Sequence, residues 1–263
     1  MSTDNPPQML FFDVFGTVVS WRECVTEELS TAALHAVNGP RNNLRADLRD
    51  RAAHMFSQDW LAFTEEWRHS YDVFTDTFDA SKEFVLVDQH HYNALRKLLH
   101  HRDLDGLFTD KKLWELTFAW HRLNPWPDSV SGLELLNRRF PTATLSNGNV
   151  SLLQDLQQHG SLPFTHIVSA ENFRAYKPSP LVYNGAAHKF GLEPSQCGLV
   201  AAHLSDLKAA KDCGFQTIYV ERKLEEAWSK EEAAKAKAEG WVDMWVDSRS
   251  NGFQEVAKRF GIE

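Results

Sequence analysis

Short apolar runs recur along the chain: MLFFD (9–13), TATLS (142–146), HIVSA (166–170), GLVAAH (198–203), TIYVE (217–221) and DMWVD (243–247). Apolar runs this short, bounded by turn residues, predict buried strands. Helix-length segments lie between the later ones, at 150–159, 179–190, 205–213 and 251–260. Strands alternating with helices predict a parallel sheet with crossovers on both faces. In such sheets ligands bind beyond the carboxyl ends of the strands. Asp13, Ser146, His203 and Asp206 all fall at or just beyond such ends.

The first strand has no close successor, because the next one begins near residue 142. The segment from 22 to 120 carries helical periodicity, and a structureless loop of that length would be implausible. A helical insertion is the simpler account, with NPWPD (124–128) as the return linker and Asp128 or Ser129 capping the next helix. The expected division is a Rossmann-like α/β core of 1–20 and 122–263 around a helical cap of 21–121. The charge-dense stretch 222–240 reads as a solvated helix, with Glu226/Lys230 and Glu231/Lys235 spaced to pair and Gly240 able to end it.

Composition narrows the function classes. The formal charge is −8 and no basic stripe is present, which argues against nucleic-acid binding. No apolar run approaches the roughly 20 residues needed to cross a bilayer. The polar start MSTDNPPQM lacks the features of a secretory signal. Cys24, Cys197 and Cys213 are an odd number without metal-type spacing, so a reducing, cytoplasmic compartment with buried thiols is expected. The His90-His91 and His100-His101 pairs make poor chelates, because adjacent residues do not share a helix face. With no phosphate-binding or dinucleotide-binding glycine motif either, no metal and no cofactor is expected.

Several residues carry candidate chemistry. A carboxylate such as Asp13 at a strand end, followed by Gly16-Thr17, can act as a nucleophile that forms an ester; it can equally be a turn or capping residue. Lys177, before Pro178, could hold that carboxylate ionised or be an exposed loop residue. Ser146-Asn147-Gly148 suits an anion cradle or an ordinary turn. Asp206 could cap a helix, orient Lys177 or activate water, and His203 could serve the site or be a backbone-satisfied histidine.

Taken together and in this order, Asp13-x-x-Gly16-Thr17, Ser146, Lys177-Pro178 and Asp206 resemble the motifs of the haloacid dehalogenase superfamily. The resemblance extends from Phe11 to about Asp247 and implies a Rossmann-like core with a helical cap inserted after the first motif. Phosphatases of that superfamily carry a second acid two residues after the nucleophile, and paired acids for Mg²⁺ in the fourth motif. Here those places hold Phe15 and the stretch VAAHLSD. A halide leaves as a stable anion and needs neither protonation nor a metal, so the sequence looks like an L-2-haloacid dehalogenase. Tyr183 and TLSNGN fit that branch. Arg68 resembles the cap Trp-Arg that helps bind departing halide, although Trp21-Arg22 repeats the dipeptide. Aromatics at Phe15, Trp67, Tyr71 and Trp126 are candidates for the halogen wall. Better-studied members have Ser and Asn where this chain has Ala201 and His203.

The resemblance implies cofactor-free hydrolysis of a short (S)-2-haloalkanoate to the (R)-2-hydroxy acid. Asp13 is the nucleophile, Lys177 keeps it anionic, and Ser146 and Asn147 hold the substrate carboxylate. Asp206 aligns water with His203 or Thr17. Tyr183, Phe15, Trp126 and Arg68 complete the pocket. A homodimer is also suggested. Two other readings stand beside this one: a phosphatase or esterase of the same superfamily, and a non-catalytic member that binds a small carboxylate.

Overall fold

The structure is a computed structural model that describes residues 5–39, 44–79 and 81–263. The start of the polar N-terminal stretch, Met1–Asp4, therefore lies outside the described residues. The chain divides into two compact units. One comprises Met1–Ser20, Ala80–Phe84 and Asn124–Glu263, the other Trp21–Asp79 and Val85–Leu123.

The strands, all in the first unit, are β1 (Met9–Phe12), β2 (Val19–Ser20), β3 (Asn124–Pro125), β4 (Thr142–Thr144), β5 (Cys197–Ala201), β6 (Gln216–Val220) and β7 (Met244–Val246). Five form a parallel sheet in the order β4-β1-β5-β6-β7. The second unit holds α1 (Arg22–Asn38), α2 (Ala46–Ala53), α3 (Ser57–Asp76), α4 (Val87–His101) and α5 (Asp110–Thr117). The first unit adds α6 (Ser129–Leu136), α7 (Val150–His159), α8 (Pro180–Lys189), α9 (Leu204–Asp212), α10 (Lys230–Glu239) and α11 (Gly252–Arg259).

Strand β1 is apolar throughout because both of its faces are covered, as a central parallel strand requires. Side chains alternate across the sheet. Phe11 therefore meets Phe190 and Phe215 on one face, with ring centroids 5.9 Å away in both cases. Phe12 meets Phe164 at 5.6 Å and Phe253 at 5.2 Å on the other. Strands β4 and β5 flank β1, pairing Phe12 with Thr144 and with Val200. Successive connections thus leave β1 in opposite directions, and the crevice at that switch point lies beside the residue that follows Phe12.

Four local expectations are corrected. HIVSA makes isolated bridges at His166 and Ser169 instead of a strand. The Thr144 hydroxyl takes both backbone groups of Val168, donating to its carbonyl and accepting from its N–H at 2.9 Å each, which replaces ladder bonds. Asp128 occupies the N-cap position of α6 without a side-chain cap, because its carboxylate pairs with Arg222 at 2.6 and 2.9 Å. Glu226 lies ahead of α10 and accepts from the Leu204 and Trp228 amides instead of pairing with Lys230; Ser229 caps that helix. Of the three thiols only Cys197 is buried; Cys24 and Cys213 are half-buried.

In the second unit the core is aromatic. Trp120 stacks on Trp21 at 6.0 Å and on His91 at 4.6 Å, with Trp67 edge-on at 5.5 Å. Burial holds His91 neutral, its pKa well below the usual value. No described helix is long and apolar enough to cross a membrane.

Phe12→Ala should cost about 3–5 kcal/mol, since a fully buried ring would leave a cavity between the sheet and the side chains of Phe164 and Phe253. Leu34→Ala, at a side chain 61% exposed, should change stability by no more than about 0.5 kcal/mol. Denaturant unfolding of both variants checks the pair.

Candidate active site

Asp13 extends the β1 ladder, its amide donating to the Val200 carbonyl at 3.0 Å. The chain then turns sharply through Gly16, at φ +77°. A side chain there would be strained, and its Cβ would lie 2.1 Å from Glu225 Oε2. The turn returns Thr17 beneath Asp13. The Thr17 hydroxyl donates to Asp13 Oδ2 at 2.7 Å and accepts from the Ala202 amide, beyond β5, at 2.9 Å.

Lys177 reaches the same carboxylate from the loop before α8. Its Nζ donates to Asp13 Oδ1 at 3.0 Å and to Asp206 Oδ2 at 2.5 Å. Tyr183 Oη donates to the other Asp206 oxygen at 2.6 Å. His203, at the N-cap position of α9, places Nδ1 3.2 Å from Asp13 Oδ2 and Nε2 3.7 Å from Glu225 Oε2. Segments distant in the chain thus converge on one carboxylate.

The electrostatics follow from this geometry. Burial alone would raise the pKa of Asp13; the Lys177 charge, with His203 and Thr17, outweighs it and holds the carboxyl well below the usual range. For Lys177, burial alone would lower the pKa, but Asp13 and Asp206 raise it above normal. Burial and the Asp206 charge push the Tyr183 phenol well up, so it remains a donor. The site is an ionised, oriented carboxylate with a fixed cation behind it, an arrangement suited to nucleophilic attack on carbon.

A family model for haloacid dehalogenase-like hydrolases matches residues 8–214. The chain is 34% identical over 221 residues to (S)-2-haloacid dehalogenase 1 of Pseudomonas sp. (strain CBS-3), covering 83% of this chain and 86% of that one. It is 29% identical over 164 residues to (S)-2-haloacid dehalogenase 4A of Burkholderia cepacia, covering 61% and 64%. Among solved structures, a defluorinating L-2-haloacid dehalogenase superposes with a TM-score of 0.77 at 29% identity, covering 97% of this chain and 95% of its own.

This chain belongs to the haloacid dehalogenase-like hydrolase family.

Within the family it groups with the L-2-haloacid dehalogenases, as the motif order led one to expect. The structure places the other expected site residues as follows. Ser146, beyond β4, is buried and its Oγ accepts from the Gly148 amide at 3.2 Å. The Asn147 side chain clamps the Lys177 backbone, accepting from its amide at 2.7 Å and donating to its carbonyl at 3.2 Å. Tyr183 is fully buried and serves Asp206. Phe15 is buried, and a side chain on Gly148 would lie 3.1 Å from its ring. An aromatic ring therefore fills the place of the second acid. Trp126, half-buried, donates its indole N–H to the Gly16 carbonyl at 2.9 Å.

The remaining candidates belong to the helical unit. The Arg68 guanidinium pairs with Asp72 and lies 4.6 Å from the Tyr71 ring centroid. Arg22 pairs with Glu65 at 3.1 Å and lies over Trp21. Trp67 packs into that unit's core, its indole N–H donating to the His91 carbonyl at 3.0 Å.

One participant escaped the sequence reading. The Glu225 side chain is 4% exposed, wedged between Gly16 and His203. It sits in the charge-dense run that looks like a solvated helix, and LEEAW offers no signal that one of its acids is buried. Among the described residues no group of three His, Cys, Asp or Glu is placed to hold a metal ion. The cation between Asp13 and Asp206 is the Lys177 ammonium.

Because the folded pKa of Asp13 is depressed, its charge stabilises the fold above the unfolded value of about 3.9, and that stability is lost as pH falls toward the folded value. In wild type the carboxylate should stay ionised below pH ~3.9; in Lys177→Met it should titrate above that, because burial then dominates. Carboxyl ¹³C NMR titration, assigned by difference with Asp13→Asn, distinguishes the two.

Proposed function

We propose that the chain hydrolyses short (S)-2-haloalkanoic acids to (R)-2-hydroxy acids through an ester on Asp13, without a metal or cofactor. The observation that carries the reading is the Asp13 carboxylate, kept ionised in a buried site by Lys177, Thr17 and His203, with a phenylalanine where a phosphatase would need an acid. The names of the relatives, (S)-2-haloacid dehalogenase and L-2-haloacid dehalogenase, point to the same substrate class.

In the first step an Asp13 oxygen attacks C2 from the side opposite the halogen. The new C–O bond forms as the carbon–halogen bond breaks, halide departs, and the centre inverts. Ser146 and the backbone amides after it receive the substrate carboxylate. Asn147, bound to the Lys177 backbone, fixes the direction of the ammonium. Arg68 is assigned to the halide. In the second step water attacks the Asp13 Cγ, and the ester C–O bond breaks to release the hydroxy acid. Asp206 and His203 align that water. One proton is released with each halide, and Asp13 returns as the carboxylate. Preorganisation by the fixed ammonium and hydroxyl contributes more than proximity alone, because no solvent has to reorient as charge moves. A cytoplasmic, homodimeric enzyme completes the proposal.

Halide release from L-2-chloropropionate in the presence of EDTA tests it. Wild type should turn over, and Asp13→Asn should fall by more than ~1000-fold, as loss of a nucleophile does. Folded wild type that releases no halide but cleaves a phosphate ester with Mg²⁺ would overturn the reading.

The guanidinium assignment has its own measurement. Arg68→Ala should lower kcat/KM for halide release by ~100-fold or more, as removal of a charge-stabilising donor does. Arg22→Ala should lower it by less than ~10-fold; the reverse order would move the halide role to Arg22.

A further inference from the structure

The turn that carries Thr17 is held from outside to an unusual degree. Three consecutive carbonyls each accept a hydrogen bond from a side chain remote in sequence: Gly16 from the Trp126 indole at 2.9 Å, Thr17 from Arg222 Nε at 3.1 Å, and Val18 from the Ser129 hydroxyl at 2.7 Å. The Trp126 amide adds a second bond to the Val18 carbonyl at 3.0 Å. Trp126 and Ser129 flank the return from the helical insertion, but Arg222 comes from the end of β6, in another part of the sheet.

Arg222 itself is locked on every side. Its side chain is 8% exposed, and the guanidinium binds the Asp128 carboxylate through both terminal nitrogens, at 2.6 and 2.9 Å. Asp128 also accepts from the Phe253 amide at 2.7 Å. The guanidinium lies 5.4 Å from the Trp126 ring centroid and 4.9 Å from that of Phe253. A fork fixed in this way leaves Nε one direction to point, and the Thr17 carbonyl occupies it. The Arg222 carbonyl accepts the Glu225 amide at 3.4 Å, so the same residue anchors the loop that brings Glu225 to His203.

We infer that Arg222 is a positioning residue for the reaction, setting the Thr17 hydroxyl against Asp13 Oδ2. Resting on the nucleophilic role proposed for Asp13, the inference works through a short path. Arg222 fixes the Thr17 carbonyl, the turn fixes the Thr17 side chain, and the hydroxyl, already held by the Ala202 amide, donates to Oδ2. A lysine cannot replace the fork, because one ammonium cannot bind Asp128 at two points and Thr17 at a third in the same plane. The two donors to Oδ2 would otherwise be set independently, Thr17 by its own turn and His203 by α9. Arg222 ties both to one rigid point.

The test pairs Arg222→Gln with Asp128→Asn, so that no lone buried charge is stranded, and crosses this double variant with Thr17→Val. Phe140→Ala, a buried ring packed on Phe260 elsewhere in the unit, serves as the control for lost stability. The Arg222/Asp128 variant should lose ~10–100-fold in kcat for halide release, with KM changed by less than ~3-fold, as sub-ångström misplacement of a reacting group does. The same substitutions in the Thr17→Val background should have little further effect, since residues that act as a unit are not additive. Phe140→Ala should keep the wild-type kcat. Without any substrate, the Ala202 amide ¹H–¹⁵N resonance should shift in the Arg222/Asp128 variant and not in Phe140→Ala. If wild type releases no halide, the Asp13 assignment fails and the Ala202 resonance alone decides the placement of Thr17. An unmoved Ala202 resonance, an unchanged kcat, or independent effects of Arg222 and Thr17 would each overturn the inference.

Discussion

The Lys177 ammonium, buried between the carboxylates of Asp13 and Asp206, is the interaction on which the rest depends. Charges removed from water cost several kcal/mol each unless partners at close range replace the lost solvation. One cation serving two acids leaves a net negative site, and the remaining hydrogen-bond demand falls on neighbours. Thr17 and His203 meet it at Asp13, and Tyr183 meets it at Asp206. Remove the ammonium and the burial of Asp13 works to raise its pKa with the strongest opposing charge gone. The chemistry and the electrostatic cost are thus the same feature seen twice.

The sheet supplies the precision. Asp13 is the next residue after a strand whose two faces are filled by aromatic rings, so its position is set by packing rather than by a loop. Lys177, by contrast, arrives on a loop, and its backbone is held by both ends of the Asn147 amide. Asn147, at the turn after β4, thereby fixes the loop from which the cation reaches Asp13. Trp126 shows the same economy, since its indole N–H holds the turn below Asp13.

His203 and Glu225 form a chain of titratable groups leading away from Oδ2, and the absent side chain of Gly16 makes the room that Glu225 fills. A glycine in this turn thus has two physical reasons, a positive φ and a close approach. Ala201, at the place where the better-studied members have a serine, is buried in β5 and its side chain adds no donor.

The sequence by itself determined the parallel α/β core, the helical insertion after the first strand, and the strand-end residues Asp13, Ser146, His203 and Asp206. These were legible because short apolar runs, helix-length spacers and strand-end polar residues are local patterns. The interrupted strand at 166–170 was not, because Thr144 competes for the backbone of Val168, and such a side-chain bond has no periodicity. The hydrogen bonds of Asn147, Trp126 and Asp128 stayed hidden for a related reason: each residue type suits more than one role, and only the tertiary structure decides which donor or acceptor reaches it first. Glu225 and Arg222 lay hidden in a run of charges that looks solvated. A charge is buried only when its partners come from elsewhere in the chain, and for these two the partners are His203, Asp128 and the Thr17 carbonyl. Those distances exist only once the sheet has closed around them.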